Sequence, residues 1–270
     1  MVFSPIQVGS LRILITFLAL LPFSIKHFLK VSKKDLFYLG LSGIIGSFLP
    51  AFLFAFAQEG INSSTAGILN SLTPLFALLV GVLFFKFQAK WWNYMGIFIT
   101  FVGTYGLLSI SGNESFGFNF KYGSYIILAS IGYGTQVNLI KYRLQHLPSF
   151  TIVVMQFFII SLPAAFILFF MTDFTQIADL STEFLNGLMY VGILAIIATA
   201  LALVLFYRLV KLVDPVFSAS VTYFIPAVAT LWGVIDGEFI EVGFFIWVSI
   251  ILGGVYLINS KSLLKSPLKL

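Results

Sequence analysis

The sequence predicts an all-α integral membrane protein, and three observations support that prediction. Of the 270 residues, 60% are hydrophobic and only 9% are charged, whereas soluble domains carry about 25% charged residues. The mean hydropathy is +1.05. Apolar runs of about 20 residues, the length that crosses a bilayer as a helix, recur along the whole chain. The absence of cysteine excludes disulfides, thiol catalysis and cysteine-ligated metals.

Nine helices are predicted from these runs. In chain order, their spans are roughly 5–25, 36–57, 65–85, 92–111, 123–142, 149–171, 184–206, 216–235 and 241–259. The longest connections between them, SGNESFGFNFK and TDFTQIADLSTE, hold only eleven and twelve residues. Segments this short do not form a folded domain outside the membrane.

The charged residues give these helices an orientation. Thirteen of the 15 lysines and arginines fall in alternate loops and in the C-terminal tail, and eight acidic residues fall on the opposite side. Basic residues mark cytoplasmic loops by the positive-inside rule, so we expect the C-terminus in the cytoplasm. The two exceptions are Lys121 and Arg12, and Arg12 is the one charged residue well inside an apolar run.

The chain also contains an internal repeat with an offset of 152 residues. This offset pairs YLGLSGII at 38–45 with YVGILAII at 190–197, and Pro74 with Pro226. The first segment is predicted to run from inside to outside and the second from outside to inside, so the two repeats are inverted. Inverted repeats are shared by many secondary transporters, which bind substrate near the midplane at the repeat interface.

The two prolines lie near the middle of their predicted helices, where each removes a backbone hydrogen bond. The carbonyls freed in this way belong to Asn70 and Thr222, which also carry polar side chains. Unpaired backbone at that depth is tolerated where it lines a protein cavity, so one interpretation is a central cavity. The alternative is a kink needed only for helix packing, with the Asn70 carbonyl satisfied by the hydroxyl of Ser71 or Thr73.

With these features, the chain resembles the EamA-type transporters of the drug/metabolite transporter superfamily. The resemblance rests on GLSGIIGSFLPAFLFAFAQEGINSSTAGILNSLTPLFALLVGVLF in the first half and YVGILAIIATALALVLFYRLVKLVDPVFSASVTYFIPAVATLWGVIDGE in the second. It implies a carrier with ten helices in two inverted five-helix repeats, here residues 1–115 and 116–270. One departure is that Lys86 and Phe87 stand where the family usually has Gly-Glu.

The resemblance leaves one of the ten helices unaccounted for. The predicted helix at 149–171 is the natural partner of the one at 5–25 and is preceded by another helix, whereas no apolar run precedes residue 5. The missing helix is therefore the first of the pattern. We expect either an apolar segment of about 20–25 residues upstream of Met1 in a longer reading frame, or a carrier that works with nine helices.

Polar side chains inside the apolar runs are the candidate substrate ligands. Arg12 is a candidate for binding an anionic substrate group, since a charge within the membrane is costly without a function; the alternative is an anchor at a helix end. The residues predicted for the substrate cavity are Arg12, Asn70, Pro74, Tyr133, Gln136, Gln156, Thr222, Tyr223 and Pro226. The polar members have an alternative role as interhelical hydrogen-bond partners.

The predicted function is transport without enzymatic chemistry. The apolar runs hold no central Asp for a metal, His27 and His146 lie far apart, and no glycine-rich phosphate loop is present, so no catalytic, metal or cofactor site is predicted. With the resemblance, this indicates an exporter of small, amino-acid-like or other organic metabolites that works by alternating access. Alternatives are a nucleotide-sugar or lipid-linked sugar carrier of the same fold, or a structural membrane subunit. We expect a monomer or homodimer in a bacterial plasma membrane, without a nucleic-acid partner.

Overall fold

The computed structural model describes residues 2–28, 31–61, 63–110, 120–177, 181–225 and 242–259. These residues form helices and include no strand, which confirms the predicted all-α class. Four helical stretches among them are long and apolar enough to cross a membrane: Pro5–Ser24, Lys33–Ala57, Ser149–Phe170 and Thr182–Leu212. The second half of the predicted helix at 216–235, residues 226–235, lies outside the described residues.

Most of the described helices follow the predicted spans, several of them divided, and one short helix lies in the predicted connection TDFTQIADLSTE. In chain order they are α1 Pro5–Phe28, α2 Lys33–Gly43, α3 Leu49–Ala57, α4 Ser63–Asn70, α5 Thr73–Phe85, α6 Trp91–Ile110, α7 Phe120–Arg143, α8 Ser149–Phe170, α9 Phe174–Ile177, α10 Thr182–Ala195, α11 Ala202–Leu212, α12 Pro215–Ala219 and α13 Val242–Asn259. A π-helical turn at Ile44–Phe48 joins α2 to α3, and another at Ile196–Leu201 joins α10 to α11. A 3₁₀ turn at Ser220–Tyr223 follows α12.

Side-chain caps determine where several helices begin. The Ser32 hydroxyl accepts a hydrogen bond from the backbone N–H of Asp35, whose carboxylate accepts one from Ser32 in return. Asp214 caps α12 by accepting from the N–H of Phe217 at 2.8 Å. Such caps satisfy backbone donors that the first helical turn leaves unpaired, so polar residues at the ends of apolar runs mark the helix starts.

The prediction of one continuous helix over 65–85 is wrong. α4 ends at Asn70, a turn follows, and α5 begins at Thr73. Pro74 therefore lies in the first turn of α5, where the missing N–H has no helical partner to lose. The Thr73 hydroxyl donates to the Asn70 carbonyl at 2.7 Å, so that carbonyl is paired. The proline marks a break between two shorter helices and not a kink within one.

α7 lies at the centre of the described bundle, in contact with α3, α5 and the π turn at Ile44–Phe48. Glycine permits the closest of these contacts: a Cβ atom on Gly132 would lie 2.3 Å from the carbonyl oxygen of Ile45. Two other pairs of helices pack along each other, α1 with α8 and α6 with α13. The main apolar core, which includes Leu39, Ile152 and Phe157, lies around α8.

Candidate substrate cavity

A cavity of about 570 Å³ opens between α1, α3, α7 and the stretch from α10 to α11, next to the breaks that follow α4 and α12. Small-molecule sites have volumes of about 300–1,000 Å³ and mostly apolar walls with a few polar groups. The wall reaches one end of the bundle, because it includes Val8 near the start of α1 and Gln58 directly after α3. The cavity thus has the size and the access of a site for a small organic molecule.

Five of the nine residues predicted for the cavity lie in its wall. They are Arg12, Asn70, Tyr133, Gln136 and Thr222. These residues come from α1, α4, α7 and the 3₁₀ turn after α12, so folding brings together polar groups that are far apart in the sequence. Their role as substrate ligands stays a prediction.

The remaining four residues are not described as part of this wall. Pro74 is buried in the first turn of α5, and Gln156 is fully buried between neighbouring helices. Tyr223 lies in an apolar cluster shared with α6 and α13, and its hydroxyl has no partner within the described part of the chain. Helix packing buries these three residues, and their role in a substrate cavity stays a prediction. Pro226 lies outside the described residues.

Arg12 points into the protein interior and not towards lipid. Its Nε donates to the hydroxyl of Thr199 at 2.6 Å. Thr199 lies in the π turn at Ile196–Leu201 and donates in turn to the carbonyl of Leu194 at 2.9 Å. Arg12 lines both the main cavity and a smaller recess of about 60 Å³ that continues from it. This geometry favours a role of Arg12 at the cavity over an anchoring role at a helix end.

A polar cluster, formed by Ser42, Ser47, Gln136, Gln156 and Tyr207, extends from the cavity wall at Gln136 into the bundle. Gln136 donates through Nε2 to the carbonyl of Ser42 at 3.1 Å and to the hydroxyl of Ser47 at 3.2 Å. Gln156 donates to the Ser42 hydroxyl and accepts from the Tyr207 hydroxyl at 2.8 Å. The cluster therefore joins α2, α7, α8 and α11 through hydrogen bonds that no water replaces in a bilayer.

Structural features recur at the offset of 152 residues. The π turns begin at Ile44 and Ile196, and α4 and α12 begin at Ser63 and Pro215; in both cases the two positions are 152 apart. The same offset relates several residues that line the cavity. Three such pairs are Ala51 with Leu203, Phe54 with Phe206 and Asn70 with Thr222.

Several residues of the site are missed by reasoning from the sequence. Phe54 and Phe206 are apolar residues in apolar runs, so nothing separates a ring that faces the cavity from one that faces lipid. Gln58 follows a helix end and has the sequence signature of a loop. Thr199 could have been selected from the sequence, because the offset of 152 residues pairs it with another polar residue, Ser47. In the structure both residues lie in a π turn. Comparing polar positions between the repeats would have found this pair.

The described wall of the cavity offers hydrogen-bonding groups and one charge. Within the described ranges, no group of three or more His, Asp or Glu side chains is placed to hold a metal ion. The described wall of the cavity has one ionised side chain, Arg12, surrounded by amides, hydroxyls and apolar groups. Groups of this kind are typical of sites that bind a small organic molecule.

The fold and the cavity define the class of the protein. Large apolar side chains cover the outer surface of the bundle, as at Leu83, Phe98, Leu162 and Phe170, which are 63–78% exposed. A surface of this kind, on helices that satisfy their own backbone hydrogen bonds, is stable in lipid. The protein is an integral membrane protein whose helices enclose a cavity of the size of a small solute.

The chain belongs to the EamA-like transporter family, whose sequence profile matches residues 2–109 and 121–260. This confirms the resemblance found in the sequence, and the protein is a membrane transporter. It is 30% identical over 242 residues to the uncharacterized transporter YetK of Bacillus subtilis, an alignment that covers 86% of this chain and 70% of YetK. It is 25% identical over 124 residues to the uncharacterized transporter sll1164 of Synechocystis, covering 44% of this chain and 36% of that protein.

A solved crystal structure has a similar fold. It aligns with 98% of this chain and 90% of its own length, with a TM-score of 0.72. The two sequences are 19% identical, so the similarity concerns the fold alone.

Proposed function

We propose that this protein exports small organic metabolites across a bacterial plasma membrane by alternating access around the cavity. The observation that supports this most strongly is the construction of the cavity wall. Residues that the repeat offset pairs, such as Phe54 with Phe206 and Asn70 with Thr222, line the same space. A substrate site between two inverted repeats, next to broken helices, is typical of secondary transporters.

The packing of whole helices supports two inverted repeats, residues 1–115 and 116–270. α1 packs along α8 and α6 along α13, and in each pair the two helices occupy corresponding places in the two halves. Corresponding helices meet in this way when a two-fold axis passes between them. The alternation of basic and acidic loops gives the two halves opposite directions through the membrane.

Alternating access requires a barrier on one side of the cavity at a time. On the side marked by basic loops, the helix ends nearest the polar cluster are Lys33 of α2, Arg143 of α7, Ser149 of α8 and Leu212 of α11. The cluster residues on these helices lie about 8–14 Å from those ends, at about 1.5 Å per residue. The cavity reaches the opposite end of the bundle at Gln58. We infer that the polar cluster closes the cytoplasmic side of an outward-facing carrier.

The orientation is open to a direct test, because the chain has no cysteine of its own. We expect a membrane-impermeant maleimide to label Glu114→Cys in intact cells and Ser266→Cys only after lysis, since the basic tail belongs in the cytoplasm. Labelling of Ser266→Cys in intact cells would show that the C-terminus lies outside.

Filling the cavity tests whether it is the transport path. Ala55 lies in the cavity wall, and Ala55→Trp places an indole in the space that a solute needs. The matched control is Leu83→Trp, at a position that is 73% exposed on the outer surface. Proteoliposomes loaded with a bacterial metabolite extract would be assayed by mass spectrometry of the released compounds. We expect release with the parent chain and the control, and background release with Ala55→Trp.

The same assay separates the alternatives. Release of nucleotide sugars in place of smaller metabolites would favour the sugar-carrier alternative. No release from any preparation in either orientation would favour a structural membrane subunit. Equal release with Ala55→Trp and with the control, at equal amounts of inserted protein, would show that the cavity is not the path.

A further inference from the structure

We infer that the substrate is an organic anion with an apolar body, and that Arg12 binds its anionic group while Thr199 positions the guanidinium. This inference rests on the proposed transport function, because it assigns the substrate of the same cavity. It adds a chemical class of solute, a ligand for its charge and a positioning residue.

The first argument is the balance of charge in the cavity. Arg12 is the one ionised side chain in the described wall, and no carboxylate of that wall neutralises it. Within the described residues, the one contact between a basic side chain and a carboxylate joins His146 and Asp35, which are not in the described wall of the cavity. A cation held in an apolar, membrane-embedded space without a partner is costly, and an anionic solute removes that cost. A single cation also suits a single carboxylate better than the diphosphate of a nucleotide sugar.

The second argument is how the guanidinium is held. Nε of Arg12 donates to the Thr199 hydroxyl at 2.6 Å, and the two terminal nitrogens have no protein partner among the described residues. One edge of the planar group is thus fixed, and the remaining donors are free for a ligand. A carboxylate accepts two parallel hydrogen bonds from such a fork.

The placement of Thr199 follows from the π turn. Its hydroxyl donates to the carbonyl of Leu194, five residues earlier in the chain, and still accepts from Arg12. Thr16 of α1 donates to the carbonyl of Ala195 at 3.0 Å, which ties α1 to the helix that carries the turn. The helix surface next to Arg12 is therefore fixed at two points, and the guanidinium is oriented before a ligand arrives.

The third argument concerns the body of the solute. Phe54 and Phe206 line the cavity from matching positions of the two halves, and the Tyr133 ring lies 6.1 Å from the Phe54 ring, centroid to centroid. Aromatic walls favour apolar or aromatic groups and add little for a small hydrated ion. A carboxylate with an apolar body fits both the charge and the wall.

Three probes of nearly equal shape test the inference: 3-phenylpropionate, 3-phenylpropanamide and 3-phenylpropylamine. They differ in carrying a negative charge, no charge or a positive charge on the same apolar body. Binding to the purified full chain in nanodiscs would be measured by calorimetry, and flux of the three compounds would be measured in proteoliposomes. We expect the carboxylate to bind more tightly than the amide by about tenfold to more than a hundredfold, the range for hydrogen bonds to charged groups.

Substitutions test which residues cause the preference for the carboxylate. Arg12→Gln should bring the affinity for the carboxylate down to that for the amide and leave the amide affinity unchanged. Thr199→Val keeps the shape but removes the hydroxyl, so it should lower the carboxylate preference partly, and Arg12→Lys should do the same because the charge remains without the fork. The control is Arg208→Gln, which removes an exposed cation on α11 and should change neither affinity.

The outcomes separate this inference from the transport function. Equal binding of carboxylate and amide, no binding of the carboxylate at millimolar concentration, or an unchanged preference in Arg12→Gln would each overturn the anion assignment. Flux of the amide or the amine independent of Arg12 would leave transport standing and refute the anion. Arg12-dependent binding without flux of any probe would support the anion site and contradict transport. An unchanged preference in Thr199→Val would remove Thr199 from the assignment.

Discussion

Replacing Gln156 with leucine is expected to destabilise the folded protein by about 1–3 kcal/mol, the cost of a buried polar group left without a partner. Gln156 accepts from the Tyr207 hydroxyl and donates to the Ser42 hydroxyl, and all three residues are fully buried. One interhelical hydrogen bond in a membrane is worth only about 0.6 kcal/mol on average. The unpaired groups that leucine leaves behind therefore dominate the expected loss.

A double-mutant cycle separates these two contributions. Tyr207→Phe leaves the Gln156 carbonyl oxygen without its donor, but phenylalanine at 207 together with leucine at 156 leaves neither group of that hydrogen bond buried and unpaired. The double variant should therefore lose less free energy of unfolding than the two single variants together. The free energies of unfolding of the parent chain, the two single variants and the double variant are measured by reversible unfolding in mixed micelles. Strictly additive losses would show that the two side chains do not act as a pair.

The same variants bear on the proposed barrier. If the polar cluster closes the cytoplasmic side, weakening it should shift the carrier away from the outward-facing state, and about 1.4 kcal/mol of differential stability changes that equilibrium tenfold. We expect Gln156→Leu to lower the affinity for a solute added from outside. Equal affinities in Gln156→Leu and the parent chain would argue against a gating role for the cluster.

The class of the fold can be predicted from the sequence, because a lipid environment permits few kinds of backbone structure. A run of about 20 apolar residues in a bilayer must satisfy its backbone internally, which makes it a helix. The break after Asn70 is different, since a proline in an apolar run is equally compatible with a kinked helix and with two half-helices. The deciding feature is the turn at residues 71–72, which separates α4 from α5, and backbone geometry of that kind is not encoded in hydropathy.

The candidate site is partly readable for a related reason. Polar side chains inside the membrane are energetically costly and therefore rare in apolar runs. For this reason the sequence predicts Arg12, Tyr133 and Gln136 as residues of the cavity. The same reasoning selects Gln156, but it cannot separate a ligand from a residue that pairs with another helix. This reasoning does not select Phe206, because an apolar ring is equally stable facing lipid and facing an apolar cavity wall. Only the packing of the helices determines which of these side chains line the cavity.

Alanine in place of Gly132 is expected to destabilise the protein by about 1–3 kcal/mol, as overpacking of a close contact does. The new Cβ would lie 2.3 Å from the backbone carbonyl oxygen of Ile45. A flexible side chain could move away from such a contact, but a carbonyl within the π turn at Ile44–Phe48 moves only with the turn. The gain in helix propensity of roughly 1 kcal/mol from glycine to alanine does not offset this clash.

The chain contains a matched control in Gly192, a glycine of α10 where an added Cβ meets no atom within 4 Å. Gly192→Ala should be neutral or stabilising, because it gains propensity without a contact. Gly132→Ala should also weaken transport, since moving the π turn away from α7 separates Ser47 from Gln136, which donates to it at 3.2 Å. The stability of both variants is measured by unfolding in micelles, and their transport activity by metabolite flux in proteoliposomes. Equal stability of the two alanine variants would show that the close approach of α7 to the π turn does not hold the cavity in shape.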